Sequence, residues 1–263
     1  MTTPKLLEKA EQTELYRRGS ATLLASWEAY ARGAAGAAVH RLAGVAAAVF
    51  PHEPERAVYN NALLERDLGP GERAGAADAM EAAYAAAGVT RFAAWVHETD
   101  EPMRAELERR GYTVDTTTRA MGMVLDDIAV PPPSTDPAQL DLAPATWAEY
   151  LAMDDDLPPG FLGTADHAAL HPLAARAGGQ LVAAALAYDF DDDCGIYNVE
   201  TVPRARRRGL GTALTAAQLY AARARGCRTA SLQSTPMAER VYAAVGFRDL
   251  GRILEYVPPG EPS

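Results

Sequence analysis

The sequence predicts a mixed α/β chain made of two similar halves. Three observations predict it. Strand-like and helix-like segments alternate along the chain. The order strand, helix, strand, Pro-Met helix, Gly-aromatic, strand occurs twice. A loop crowded with arginine and glycine, VPRARRRGLGTAL from Val202 to Leu214, joins a strand to a helix in the second copy.

In chain order, TELYRRGSATLLASWEAYARG has helical spacing and few breakers. VYNNALLE (Val58 to Glu65) and GVTRFAAWV (Gly88 to Val96) read as strands around a helical stretch, followed by the helix EPMRAELERRGY and the strand TRAMGMVL. DDIAVPPPSTDP, residues 126–137, is a linker, because three consecutive prolines suit neither a helix nor a central strand. The expected domains are therefore 1–125 and 138–263. In the second, QLVAAALAYDF and CGIYNVETV form a hairpin around an acidic turn. GTALTAAQLYAARARG is a helix ending at Gly226, with Arg223 and Arg225 in its last turn, where the macrodipole favours cations. GCRTASLQS, TPMAERVYAAVGF and GRILEYV repeat the strand, helix and strand that end the first half.

Composition narrows the function. Apolar residues make up 48% of the chain, enough for a substantial core. The net charge of −10 argues against wrapping nucleic acid, which needs a broad basic face. The amino-terminal stretch lacks the apolar core of a secretory signal, and no run is apolar enough to span a membrane. Cys194 and Cys227 are too few and too far apart for a zinc framework or a CxxC redox pair. A reduced, cytoplasmic protein is expected. His167 and His171 have the spacing of helical metal ligands but lack an evident third partner, so no metal is expected.

The concentration of Arg204, Arg206, Arg207 and Arg208 in an acidic chain calls for an anionic ligand. A helix N-terminus offers free N–H groups and partial positive charge, and glycines let a phosphate come close. A Walker loop would need Lys at its end, and a dinucleotide fingerprint a third Gly where Leu214 stands. A solvated basic turn capping an ordinary helix is the bland alternative.

RRRGLG resembles the (Gln/Arg)-x-x-Gly-x-(Gly/Ala) signature of the GCN5-related N-acetyltransferase (GNAT) superfamily, carried by Arg206, Gly209 and Gly211. AERVYAAVGF, with Ala238, Tyr242, Gly246 and Phe247, resembles the family's later helix. The resemblance spans about Leu140 to Val257. It implies two tandem GNAT-like acyl-CoA N-acyltransferase domains, the first degenerate, with acetyl-CoA or another acyl-CoA as co-substrate and no metal. It implies that the Thr201–Val202 backbone pairs with the pantetheine arm. The N–H groups of Arg207, Arg208, Gly209, Leu210, Gly211 and Thr212 would then hold the pyrophosphate. Thr235 stands where the family often has Asn at the start of the last helix; it can still cap that helix.

Acyl transfer to an amine needs a neutral nucleophile, donors for the oxyanion and an acid for the leaving thiolate. The resemblance makes Tyr242 that acid; its alternative is packing. Glu200, on the strand beside the cleft, is the candidate base; its alternative is an ordinary cross-strand charge. Asp154–Asp156 and Asp189–Asp193 form two acidic groups that would draw a cationic amine if they lie at the acceptor entrance, and are otherwise solvated turns. In the first half, aligning Gly71 with Gly209 puts Leu68 at the place of Arg206, Pro70 at that of Arg208 and Arg73 at that of Gly211. Leu107 stands where the second half has Tyr242. The first half is therefore expected to keep the fold without the cofactor site. The leading expectation is an N-acetyltransferase acting on a primary amine; the alternatives are a non-catalytic acyl-CoA sensor and an arginine-rich nucleic-acid contact.

Overall fold

A computed structural model describes residues 4–52, 59–133, 141–153 and 168–260. Asp154–Asp156, His167 and the end of the proline linker lie outside these residues. The elements run α1 (Pro4–Arg32), β1 (Ala38–Leu42), β2 (Val45–Val49), β3 (Asn61–Leu64), α2 (Pro70–Ala86), β4 (Ala93–His97), α3 (Glu101–Arg109) and β5 (Thr113–Val124). They continue with β6 (Asp141–Pro144), α4 (Trp147–Leu151), β7 (Leu170–Ala177), β8 (Gln180–Phe190), β9 (Asp193–Thr201), α5 (Leu210–Arg225), β10 (Thr229–Ser234), α6 (Glu239–Val245) and β11 (Arg248–Val257). The expected elements are present. Reading the sequence missed the β1–β2 hairpin, β6, β7 and α4. VAAAV at β2 is fully buried strand, although alanine favours helix; burial between neighbours overrides local preference.

The chain forms two compact units, and their division crosses the expected boundary at 126–137. One unit joins residues 1–26 to Ala120–Leu250; the other joins Trp27–Arg119 to the residues after Leu250. The closing strands are exchanged. The carboxy-terminal part of β5 belongs with the second half, and most of β11 with the first.

The unit built on the second half has a mixed sheet ordered β5-β10-β9-β8-β7-β6. Strands β6 to β9 are antiparallel to their neighbours, while β9 and β10 are parallel with α5 crossing between them. Leu219 and Ala222 of α5, with Tyr242 and Val245 of α6, cover Cys194, Ile196, Ala230 and Leu232 on one face. Helix α5 ends in a Schellman turn: Gly226 has φ 109°, its N–H donates to the Arg223 carbonyl, and the Cys227 N–H donates to the Ala222 carbonyl at 3.0 Å. The first part of α1 is tied to this unit through Asp193. That buried carboxylate accepts hydrogen bonds from Thr22 (2.8 Å), Thr229 (2.6 Å) and Ser231 (2.7 Å).

The unit built on the first half orders its strands β1-β2-β3-β4-β11. Strands β3 and β4 are parallel, linked by α2, and β11 is antiparallel to β4. Met80 and Tyr84 of α2, with Met103 and Leu107 of α3, pack on Ala62, Ala94 and Tyr256. Tyr84 stacks on Phe92 with ring centroids 4.0 Å apart.

On β11, Glu255 accepts a hydrogen bond from Thr118 at 3.3 Å. Burial pushes its carboxyl up to about 7, the Thr118 bond opposes that shift, and nearby Asp115 adds to it. A carboxyl raised in the folded state penalises folding once it ionises. Stability is therefore highest below the ordinary glutamate value and falls as the pH rises toward 7. Glu255→Gln should remove that loss: chemical denaturation should show the variant more stable than the parent by roughly 3 kcal/mol at pH 8 and equal to it at pH 4. Equal stability at both pH values would refute the assignment.

Candidate functional site

The ladder between β9 and β10 is short. Asp193, Cys194 and Gly195 pair with Thr229, Ala230 and Ser231, and the pairing stops there. Both strands run on, β9 to Thr201 and β10 to Ser234. Parallel strands that part in this way leave backbone N–H and C=O groups along the opened edge.

On its other side β9 pairs with β8 but gains one residue. Tyr197 faces Leu186 and Glu200 faces Ala184, so three steps on β9 match two on β8. The bulge lies at Asn198 and Val199, and Asn198 takes the left-handed conformation with φ 46°. Because a strand alternates faces, an extra residue turns everything beyond it over. Cys194 and Ile196 face the α5–α6 side, and Val199 packs on that side too. Glu200, the next residue, therefore shares the opposite face with Tyr197. Tyr197 folds back over Gly195: a Cβ at Gly195 would lie 2.5 Å from the ring Cζ and 2.6 Å from Cε2.

Beyond β9 the chain enters the arginine loop. Arg207 has φ 65° and Gly209 φ 78°, and α5 begins at Leu210 rather than near Thr212. Among the described residues, the N–H groups of Leu210, Gly211 and Thr212 have no backbone partner and no side-chain cap; the first intrahelical bond runs from Ala213 N–H to the Gly209 carbonyl at 3.0 Å. Among the described residues, nothing lies within 4 Å of a Cβ built on Gly209, and one on Gly211 meets Val199 Cγ1 alone, at 3.9 Å. Packing among the described residues therefore gives no reason for glycine at 211. A helix start with unpaired donors and glycine facing open space fits an approaching anion. Arg204, Arg207 and Arg208 are exposed and have no acidic partner among the described residues. Arg206 is already engaged: its Nε donates to the Thr201 carbonyl at 3.0 Å. The Val202 N–H donates to Val182 at 3.0 Å, so these two backbone groups are used within the chain.

Tyr242 is buried on α6, edge-on to Phe247 with centroids 6.0 Å apart. Burial raises its phenol to about 12. It lies on the α5–α6 face, whereas Glu200 lies on the other, beyond the point where the β9–β10 ladder ends.

Several expectations are corrected. Thr235 does not cap α6, which begins at Glu239 with Ala238 as its uncapped boundary residue. Thr235 sits exposed in the preceding turn, where its carbonyl accepts from Ala238 N–H. His171 lies on strand β7, so helical spacing to His167 does not apply; its Nε2 is 3.3 Å from Asp189. Among the described residues no group of three or more His, Cys, Asp or Glu could hold a metal.

The Asp189–Asp193 group does not gather at the cleft. Asp191 and Asp192, with φ 46° and 62°, form the two-residue turn of the β8–β9 hairpin. The nine residues of β9, roughly 26 Å of strand at about 3.3 Å per residue, separate this turn from the arginine loop. Three of its carboxylates are engaged. Asp193 is the buried anchor of α1, and Asp192 pairs with Arg228 at 2.7 Å. Asp189 is held by Arg225 through two bonds of 2.5 and 2.8 Å. Burial opposes the ionisation of Asp189, yet Arg225 and His171 keep its carboxyl well below the usual range.

The first half changes its loop differently from the alignment on Gly71. Helix α2 begins at Pro70 after Gly69, as α5 begins at Leu210 after Gly209. Arg66, Gly69 and Gly71 thus stand at the places of Arg206, Gly209 and Gly211, and Asp67 shares the positive φ of Arg207. The signature survives, but two of its donors are lost. Pro70 has no N–H, and the Glu72 carboxylate, at the place of Thr212, accepts from Gly69 N–H at 2.7 Å. Arg73 donates to the Leu68 carbonyl at 2.5 Å.

Comparison with known proteins agrees with this geometry. Residues 136–247 match the model of the acetyltransferase (GNAT) family. No curated protein sequence matches the chain. A GCN5-related N-acetyltransferase from Kribbella flavida has a similar structure, with TM-score 0.70 and 20% identity over 94% of this chain and 96% of that one. The tandem GNAT protein from the clavulanic acid biosynthesis pathway gives TM-score 0.58 and 20% identity over 88% and 86%. A GCN5-related N-acetyltransferase from Sphaerobacter thermophilus gives TM-score 0.58 and 18% identity over 84% and 83%. Residues 136–247, which carry the open helix start and the parted strands, therefore have the sequence pattern of the acetyltransferase (GNAT) family, and the chain has the fold of the GCN5-related N-acetyltransferases.

Proposed function

We propose that the chain is an acetyl-CoA-dependent N-acetyltransferase whose second half transfers the acetyl group directly to a primary amine in a ternary complex. The observation that carries this reading is the start of α5, with its unpaired N–H groups beside the gap between β9 and β10. The N–H groups of Gly209 to Thr212 would hold the pyrophosphate, with Arg207 and Arg208 adding attraction. The pantetheine arm would lie along the opened β9 edge that ends at Thr201 and Val202, with Thr235 beside it.

Acetyl-CoA supplies a thioester whose carbon–sulfur bond breaks as the carbon–nitrogen bond forms. Glu200, on the acceptor side, takes the proton that a primary ammonium must lose before its lone pair is available. Tyr242, on the cofactor side, donates a hydrogen bond to the departing sulfur, and the second proton that nitrogen sheds once the carbon–nitrogen bond has formed ends on that thiolate through solvent. With a phenol near 12, it stays protonated throughout the working pH range and is better suited to hydrogen-bonding the thiolate than to full proton transfer. A cationic amine remains the proposed acceptor, because a primary amine arrives protonated; the Asp189–Asp193 turn does not contribute to its attraction. A screen of amines with acetyl-CoA, followed by thiol release, tests the activity. Acetyl-CoA binding with no transfer to any amine would favour the sensor.

Gly211→Val should weaken acetyl-CoA binding more than about tenfold by calorimetry. Its stability should stay within about 0.5 kcal/mol of the parent, since the added Cβ has room and glycine is a poor helix former. Unchanged affinity in the folded variant would place the pyrophosphate elsewhere.

Tyr242→Phe should lower kcat on the order of ten- to a thousandfold with little change in acetyl-CoA affinity. The parent's kcat should show no alkaline loss below about pH 11, because the raised phenol keeps its proton. Full turnover in the Phe variant, with chemistry rate-limiting, would make Tyr242 a packing residue only.

A further inference from the structure

The direction of Glu200 depends on a single inserted residue. Without the bulge, β9 would alternate regularly from Cys194 and Ile196, and Glu200 would fall on their face, against α5 and α6. With it, Val199 fills that face and Glu200 turns to the acceptor side. A bulge needs a residue that accepts an unusual backbone conformation and a reason not to relax into regular pairing.

Asn198 supplies the first. Its φ of 46° lies in the left-handed region, which asparagine tolerates better than most residues with a side chain. The second is a side-chain bond: Asn198 Nδ2 donates to the Tyr150 hydroxyl oxygen at 2.9 Å. Tyr150 is a firm anchor. It is buried on α4 and tilts against Trp147 with ring centroids 5.2 Å apart. Helix α4 is capped by Thr146, whose hydroxyl accepts from Glu149 N–H. Glu149 also accepts from Arg176 of β7 at 2.7 Å, which ties the helix to the sheet.

We propose that Asn198 and Tyr150 are positioning residues: their hydrogen bond holds the β9 bulge and so aims Glu200 at the acceptor side of the cleft. The inference deepens the proposed transferase reading and rests on it for the role of Glu200. Helix α4 would thereby be coupled to the strand that carries Glu200.

The test uses Asn198→Gly, which keeps the left-handed backbone accessible but removes the bond, and Tyr150→Phe, which removes only the accepting oxygen. In the free protein, amide exchange at residues 198–201 should accelerate about tenfold in both variants, with residues 193–196 unchanged. With acetyl-CoA and an amine that the parent acetylates, kcat should fall about tenfold while acetyl-CoA affinity stays within about twofold. The double variant should be no slower than the slower single one, because both remove the same bond. Unaltered exchange at 198–201, or acetyl-CoA affinity lost together with turnover, would overturn the proposal. Glu200→Gln separates the two layers. If it leaves kcat unchanged, Glu200 is not the base, and the exchange experiment alone still decides whether the pair holds the bulge.

Discussion

The parting of β9 from β10 after Gly195 and Ser231 is the constraint on which the candidate site depends. Parallel neighbours normally satisfy each other's backbone along their length. Here the ladder ends after three pairs, and both strands run on beyond it. The helix that follows β9 starts with N–H donors that have no partner among the described residues. One end of the pairing is fixed from below by Asp193, which draws hydroxyls from α1 and β10 onto the first residue of β9. On the far edge the bulge at Asn198 adds the residue that turns Glu200 over. Anchor, split and bulge lie in order along nine residues of one strand.

The two halves show how little separates a binding loop from a closed one. Both place an arginine, two residues, a glycine, one residue and a glycine at the start of a helix, and both put the residue after the arginine at positive φ. In the second half the donors are left open. In the first, proline removes one and Glu72 takes another, so the chain supplies its own anion where a phosphate would sit. The fold survives the change because the packing beneath the helix, around Met80 and Tyr84, does not depend on the loop.

Much of this was legible in the sequence. The repeated order of strands and helices, the arginine–glycine loop and the Tyr–Gly–Phe helix are local patterns, set by periodicity, turn residues and helix ends. They gave the fold class and the candidate anion loop; the family resemblance added acetyl-CoA and Tyr242. The acidic turn between two apolar runs was also readable, though the sequence spread it over 191–193 and the structure confines it to 191 and 192.

What the sequence left open was pairing and direction. Which half each closing strand joins is decided by neighbours distant in the chain, so the exchange of β5 and β11 has no local signal. The alignment of the two loops slipped by two residues because helix starts, not glycine counts, set their correspondence. The aspartates at 189–193 looked like a field for a substrate, yet Arg225, Arg228 and three hydroxyls reach them only after folding. The face that Glu200 occupies is likewise settled by a bulge, a tertiary feature held by Asn198 and Tyr150 across 48 positions of sequence. Sequence alone determined most of the elements and the place of the arginine–glycine loop, because these follow from short-range geometry. Only the tertiary structure decided which strands pair, which charges are already answered and which way a side chain points, because each depends on contacts between segments that the linear order keeps apart.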